Sequence, residues 1–186
     1  MKILLISSSL NDKSKSRLLA EEAKRLLGLK DNVDLDYLDL RDFELPMCDG
    51  GKAYGHPNVI ELSARVKAAD GFVVATPIYN YSGSGAFKNF MDLTGNDWKD
   101  KFVGFLAAAG GAMSYMGVMD IANSLMLNSR VVVWPRYVYA DGSAFEDGEI
   151  KNSQVIDRIN LLIEEFVIFG HRMTLPIDVD SLGQVK

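Results

Sequence analysis

The sequence predicts an α/β fold, a doubly wound five-stranded parallel sheet with helices on both faces. Three observations predict it. Short apolar runs alternate with amphipathic stretches five times along the chain. The runs are continuous rather than alternating, as strands buried on both faces require, except at Val33–Leu40. A chain of 186 residues, 48% hydrophobic and 24% charged, can bury a sizeable core unaided. The length fits one domain over residues 1–186, with about 174–186 as a loosely held tail.

Lys2–Ser7 is a short Leu/Ile run, hence a buried strand. Ser16–Leu27 spaces Leu19, Ala23, Leu26 and Leu27 as a helix does, and Gly28 ends it. Val33–Leu40 alternates cleanly and belongs at a sheet edge. Asp42–Pro57 has turn residues without a period and reads as a long loop. Asn58–Ala69 is a helix, with Asn58 as N-cap and Glu61 three residues on. Gly71–Thr76 is a third strand, 77–84 a loop and Gly85–Leu93 a helix. Phe102–Ala109 is the fourth strand, followed by the Gly110-Gly111 loop and a helix to about Leu127. Arg130–Trp134 is the fifth, stopped by Pro135. Asp141–Glu149 is a polar turn region, and Gln154–Met173 is a long amphipathic helix.

Composition narrows the function. With 25 acidic against 20 basic residues the net charge is −5, which disfavours a protein that tracks a nucleic-acid backbone. The single Cys48 excludes an intramolecular disulfide and a cysteine-based structural zinc site. His56 and His171 are too few for a histidine metal site, so no metal is expected. The apolar run at the N-terminus is too short for a signal-peptide core. The longest uncharged stretch, Phe102–Met119, is broken by Gly110, Gly111, Ser114 and Gly117 and reads as a strand entering a loop. No membrane segment is expected, and the expected location is the cytoplasm.

In an open parallel sheet, ligands bind at the carboxyl ends of the strands. Three strand-end loops stand out. Ser7–Arg17 carries five hydroxyls before a helix, whose N-terminal N–H groups and dipole suit a phosphate. The blander reading is a capping serine in a solvated loop, and neither a Walker A nor a Gly-x-Gly-x-x-Gly pattern is present. Thr76–Gly85 lies within seventeen uncharged residues, Gly71 to Phe87, and offers two tyrosines and backbone donors to a planar heteroaromatic ring; packing of those tyrosines on the core is the competing reading. Ala107–Ser114 contains paired glycines that let backbone approach a ligand, or simply make a tight turn. One phosphate loop and two ring-edge loops at neighbouring strand ends would make a flavin mononucleotide site.

The motifs are more specific than the composition. Ser8-Ser9-Leu10-Asn11-Asp12-Lys13-Ser14-Lys15-Ser16-Arg17 is similar to Gly-Ser-Leu-x-x-x-Ser-x-Asn/Ser-Arg. Pro77-Ile78-Tyr79-Asn80-Tyr81-Ser82-Gly83-Ser84-Gly85-Ala86-Phe87-Lys88-Asn89-Phe90-Met91-Asp92 is similar to Pro-x-Tyr-Asn-x-Ser-x-Pro-x-x-Leu-Lys-Asn-x-x-Asp. With Gly110-Gly111 and Phe145-Glu146-Asp147-Gly148, the chain resembles the NADPH-dependent FMN reductase family over most of its length. That flavodoxin-like group includes quinone, chromate and azo-dye reductases and arsenical-resistance flavoproteins. Ser8, Ser84 and Phe87 stand where the pattern has Gly, Pro and Leu. Met113-Ser114-Tyr115 occupies a place where members often carry an Arg.

The resemblance implies an FMN-dependent oxidoreductase taking hydride from NADPH or NADH. A quinone, azo dye, metal oxyanion or free flavin would be the small-molecule acceptor. It implies that Ser9, Ser14 and Ser16 hold the FMN phosphate with help from Arg17. Pro77, Ile78, Tyr79, Asn80, Tyr81, Ser82, Gly110 and Gly111 would hold the ring edge. No catalytic side chain is identified, because the flavin carries the chemistry. The alternative is a non-enzymatic flavodoxin-type electron carrier, disfavoured by the modest charge and the longer first loop. A flavin-free scaffold is a third reading. Cys48 reads as a packing or surface thiol and His56 as a turn residue. A homodimer or homotetramer is expected. The resemblance implies pairing, and Phe87, Phe90, Met91, Leu93, Trp98, Met113, Tyr115, Met116, Met119, Leu125 and Met126 exceed what two short helices usually bury.

Overall fold

The structure, a computed structural model, describes residues 1–174. The loosely held tail expected at 174–186 lies outside the described residues beyond Thr174. In chain order the elements are β1 (Lys2–Ser7), α1 (Lys15–Leu27), β2 (Asp34–Asp39), α2 (Pro57–Ala68), β3 (Gly71–Tyr79), β4 (Ser82–Gly83), α3 (Gly85–Thr94) and β5 (Phe102–Ala108). Then follow α4 (Met119–Ser129), β6 (Val132–Val133), β7 (Val138–Ala140), β8 (Phe145–Glu146), β9 (Glu149–Ile150) and α5 (Ser153–Met173). The main sheet runs β2-β1-β3-β5, and β6 and β7 both pair with β5, all in parallel.

Both faces of the sheet are covered. Ile3, Leu5, Val73, Ala75 and Leu106 pack with Leu19 and Ala23 of α1 and with Ile159, Leu162 and Phe166 of α5. Leu4, Ile6, Phe72, Val74 and Phe105 pack with Leu62 and Val66 of α2, Phe87 and Phe90 of α3 and Ile121 and Leu125 of α4. This two-sided burial is why the central strands read as unbroken apolar runs. β2 pairs only with β1, and its alternation marks an edge strand.

Four local expectations are corrected. The helix expected from Asn58 begins at Pro57. His56 caps it, its Nδ1 accepting the Asn58 N–H at 3.3 Å, while the Asn58 side chain donates to Glu44 O at 2.9 Å. Proline is preorganised for the first helical position, which moves the start forward. The expected fifth strand is split. The Trp134 N–H still bonds Val103 O, but Pro135 has no N–H to offer, and pairing with β5 resumes only at Val138. The loop expected at 77–84 instead prolongs β3 to Tyr79 and folds back as the antiparallel β4. The helix expected directly after Gly110-Gly111 starts at Met119, after a single 3-10 turn at Ala112–Ser114.

A further correction concerns the apolar side chains reserved for a partner subunit. Trp98, Phe87, Phe90, Met91 and Leu93 are buried in the subunit itself. The Trp98 ring lies 4.1 Å from Phe72 and edge-on to Phe87 and Phe90, and its Nε1 donates to Thr94 Oγ1 at 2.8 Å. Leu125 is buried too, whereas Met113, Tyr115, Met116, Met119 and Met126 stay exposed. No helix among the described residues is long and apolar enough to cross a membrane.

Candidate active site

The loops after β1, β3 and β5 leave the same end of the sheet, where the winding reverses beside β1 and β3. Between them lies a cleft of about 390 Å³, lined by Ser9, Ser14, Ser16, Pro77, Ile78, Tyr79 and Gly110 together with Asn11, Lys13, Lys15 and Ala108–Ala109. A second hollow, about 260 Å³, is lined by Asn80, Tyr81, Gly111, Met113 and Ser114. Residues from all three predicted loops therefore line two hollows on the strand-end side. Arg17 and Ser82 line neither. A larger groove of about 630 Å³ runs along α3 and α4, past Cys48 and Tyr54. Its walls include the C-terminal turns of α3 and α4 together with Asp92 and Asp97, and carbonyl ends and carboxylates disfavour an anionic ligand.

The end of the cleft expected to take a phosphate is built by α1. Ser14 is its N-cap and accepts the Arg17 N–H at 3.2 Å; the Ser14 and Ser16 hydroxyls lie 2.9 Å apart, both buried. Ser9 is buried as well, its hydroxyl accepting the Asn11 N–H at 3.3 Å. Behind them, Arg17 Nε donates to Asp39 Oδ2 at 3.0 Å, and Arg41 Nη2 reaches the same oxygen at 3.0 Å. Burial alone would raise the Asp39 carboxyl. The bonds from Arg41 and the charges of both guanidiniums outweigh it and hold the carboxyl below its usual range. Arg17 Nη2 is buried with no hydrogen-bond partner among the described residues, and so is Ser7 Oγ. Unfilled buried donors beside a helix N-terminus fit an anion such as the FMN phosphate.

The part expected to take the ring is built by the β3–β4 hairpin. Tyr79 pairs with Ser82 and Ile78 with Gly83, leaving Asn80 and Tyr81 as a two-residue turn with φ of 50° and 64°. Such a turn normally calls on Asn-Gly, so Tyr81 holds a left-handed conformation that β-carbon residues avoid. Tyr79 is 51% exposed, and Tyr81 more so, which removes the core reading for both. The hairpin is seated on α4 and the segment before it. A Cβ on Gly83 would lie 1.9 Å from Ile121 Cδ1, and one on Gly117 would lie 2.6 Å from Ile78 Cγ2. Ser82 Oγ bonds Asp120 in the first turn of α4, so Ser82 fastens the hairpin rather than facing either hollow.

Several contributors were not visible in the sequence. Ser8 and Ser84, two of the departures from the family pattern, meet across the site. Their hydroxyls are 3.2 Å apart and both are buried. Ser84 also caps α3 and donates to Ser8 O, so a hydrogen-bonded strap joins the first two loops where the pattern has a proline. Asn89 of the second motif holds the long loop, donating to Pro46 O at 2.9 Å and accepting the Cys48 N–H at 2.8 Å. Cys48 Sγ lies 3.6 Å from the Tyr54 hydroxyl. Asp39, Arg41, Asp120 and Tyr139 act through partners 20 to 40 residues away, apart from the local Arg41–Asp39 contact, so no short motif marks them. No group of three or more His, Cys, Asp or Glu that could hold a metal occurs among the described residues.

Comparison with known proteins gives this geometry a family. The sequence profile of the NADPH-dependent FMN reductases matches residues 1–146. A curated relative, an NAD(P)H-dependent FAD/FMN reductase from Geobacillus thermodenitrificans, is 34% identical over 177 residues, covering 90% of this chain and 92% of the relative. An NADPH azoreductase from Bacillus sp. is 29% identical over 152 residues, covering 81% and 82%. Among solved structures, the NAD(P)H:(acceptor) oxidoreductase FerB from Paracoccus denitrificans superposes with a TM-score of 0.76 over 94% of this chain and 99% of its own, at 19% identity. That last likeness confirms the flavodoxin-like fold. With a profile match over most of the chain and a site assembled from its motifs, the protein belongs to the NADPH-dependent FMN reductase family of oxidoreductases.

Proposed function

We propose that the protein is an FMN-dependent NAD(P)H oxidoreductase that reduces a small-molecule acceptor of the quinone, azo-dye, metal-oxyanion or free-flavin kind. One observation carries this reading. A single cleft joins a capped helix N-terminus with buried hydroxyls to an uncharged wall at Pro77–Tyr79 and Ala108–Gly110. A phosphate suits one end and an apolar heteroaromatic ring the other. FMN, when bound, would supply the redox chemistry between NAD(P)H and the acceptor.

The chain's own part is binding and orientation. Ser9, Ser14, Ser16 and the first turn of α1 would hold the phosphate, with Arg17 adding charge from behind. Backbone groups of Pro77–Tyr81 and Gly110-Gly111 would hold the ring edge. Ser82 would act at one remove, through Asp120. Tyr79 and Tyr81, exposed beside the cleft, would wall the ring and limit which acceptors enter. The proposal comprises one FMN-binding domain working in the cytoplasm, where its NAD(P)H donor is held. Flavin absorbance bands in the purified protein, with steady NAD(P)H consumption once an acceptor is added, test it. Flavin without NAD(P)H consumption would instead favour the electron carrier.

Tyr79→Ala is expected to lower flavin affinity or turnover several-fold while changing stability by no more than about 0.5 kcal/mol, because an exposed side chain takes little packing with it. Thermal midpoint and turnover per folded molecule check this. A large fall in midpoint with turnover intact would return Tyr79 to the core.

The assembly is proposed to be a dimer or tetramer. Support now comes from the second group of side chains alone. Met113 (85% exposed), Tyr115, Met116 and Met119 crowd the segment beside the ring-end hollow. Methionine and aromatic residues are enriched where irregular surfaces meet. Light scattering at micromolar concentration should give a multiple of 20.6 kDa. A mass near 20.6 kDa would sink the assembly.

A further inference from the structure

We infer that Tyr139 is a positioning residue that sets the orientation of the Gly110-Gly111 loop toward the ring edge of the flavin. The inference rests on the FMN reading given above.

The loop does not fix its own shape. A Cβ on Gly110 or Gly111 would meet open space, and Gly111 has extended backbone with φ −146°. Neither crowding nor a left-handed turn therefore dictates the path. The last ladder bond is the Ala109 N–H to Ala140 O at 2.9 Å, after which the chain leaves the sheet. Beyond it the backbone has only the single 3-10 turn at Ala112–Ser114, which leaves room for a further anchor.

Tyr139 supplies it from β7. Its ring is buried, stacked edge-on to Tyr115 with centroids 5.6 Å apart. Its hydroxyl donates to Gly111 O. The Tyr139 hydroxyl oxygen also lies 3.0 Å from Ser114 Oγ. A phenol has one proton, and that proton is committed to the Gly111 carbonyl, so Ser114 must be the donor in the second bond. One hydroxyl thus grips both ends of the Gly111–Ser114 turn. Tyr137 adds a third anchor, its hydroxyl donating to Tyr115 O.

The consequence for the site follows from peptide planarity. In a trans peptide the carbonyl and the following N–H point in opposite directions. Turning the Gly111 carbonyl toward Tyr139 turns the Ala112 N–H away from it, so the hydroxyl fixes the direction of a backbone donor at the border of the hollow that Gly111 and Ser114 line. A fixed backbone donor costs no reorganisation when a ring oxygen or nitrogen arrives. Without the Tyr139 hydroxyl only the single 3-10 turn holds this peptide, and the glycine before it imposes little resistance to its tilting.

Tyr139→Phe keeps the ring and removes both bonds. Titration of apoprotein with FMN, followed by flavin fluorescence, should show about tenfold weaker binding, the loss expected when a preorganised hydrogen bond is released. The visible absorption and circular dichroism of the bound flavin should shift as well, a change that loss of stability alone does not produce. Ser114→Ala removes one of the two bonds and should fall between wild type and Tyr139→Phe on both readouts; it also serves if Tyr139→Phe fails to fold. Wild-type affinity and spectrum in Tyr139→Phe, or in Ser114→Ala where the former does not fold, overturns the inference while leaving the FMN reading intact. Wild-type apoprotein that takes up no FMN overturns both.

Discussion

Ser14→Asp is expected to weaken FMN binding by at least about 100-fold without unfolding the protein. Ser14 is the N-cap of α1 and its hydroxyl already accepts the Arg17 N–H. Aspartate caps helices as well as serine does, so the fold should tolerate the change. The ligand should not. A hydrogen bond to a charged group is worth about 1.5–3 kcal/mol, and replacing it by a carboxylate adds repulsion between like charges at contact distance. The new carboxylate also occupies the N–H groups and the positive end of the helix that the phosphate would use. Ser14→Ala provides the contrast. It loses the cap, at about 1 kcal/mol of stability, but brings no negative charge. Alanine should therefore bind FMN better than aspartate while melting lower. If affinity simply follows melting temperature across the two variants, Ser14 is a structural cap and the phosphate lies elsewhere.

The residues on which that prediction turns were legible because local sequence dictates them. A buried strand, a hydroxyl-rich loop and a helix start follow one another within Lys2–Leu27, and each is read from neighbours a few positions apart. The same holds for the uncharged strand Gly71–Tyr79 and for Phe102–Ala108 before the paired glycines. What escaped depends on partners far along the chain. Nothing near Asn80-Tyr81 announces a left-handed turn, because the usual glycine is missing and the conformation is imposed by seating the hairpin on Ile121 and Asp120. Ser84 stands at a proline position of the pattern, and nothing near it in sequence points to its partner Ser8, 76 residues away.

Burial shows the same limit. Phe87, Phe90 and Trp98 belong to the set expected to exceed what two short helices bury, yet the 3-10 turn at Gly95–Trp98 folds the indole back under α3 against Phe72. A count of apolar residues does not say which of two neighbouring segments faces inward. Here the segment before Trp98 does, and Met113, Tyr115 and Met116 do not. The expectation of a partner surface survives only where it coincides with the ring-end hollow. An interface there would bear directly on which acceptors reach the flavin.

Asp39→Ala is expected to cost about 3 kcal/mol of stability, the largest loss among the site's polar positions. Asp39 is 5% exposed at the end of β2 and takes bonds from two guanidiniums. Its removal leaves Arg17 beneath the phosphate loop with Nε and the already unpartnered Nη2 both unmatched, and breaking a buried pair costs more than the pair is worth. It also takes away the cap that accepts the Arg41 N–H at 3.1 Å. The pH dependence gives the loss a signature. Because the folded state holds the Asp39 carboxyl below its usual range, its contribution is complete above the ordinary carboxylate value of about 3.9 and is lost as pH falls through the lower folded-state value. The stability gap between wild type and Asp39→Ala should therefore stay constant from neutral pH to about 4 and narrow below it. FMN affinity should fall several-fold with it, since Arg17 is no longer held under the loop. That fall is smaller than for Ser14→Asp, because Arg17 adds charge from behind while the helix N-terminus is untouched. Chemical denaturation across pH reads the first effect and FMN titration at pH 7 the second. A gap that persists unchanged to pH 2, or a variant with full FMN affinity, would show that the carboxylate does not hold Arg17 for the phosphate.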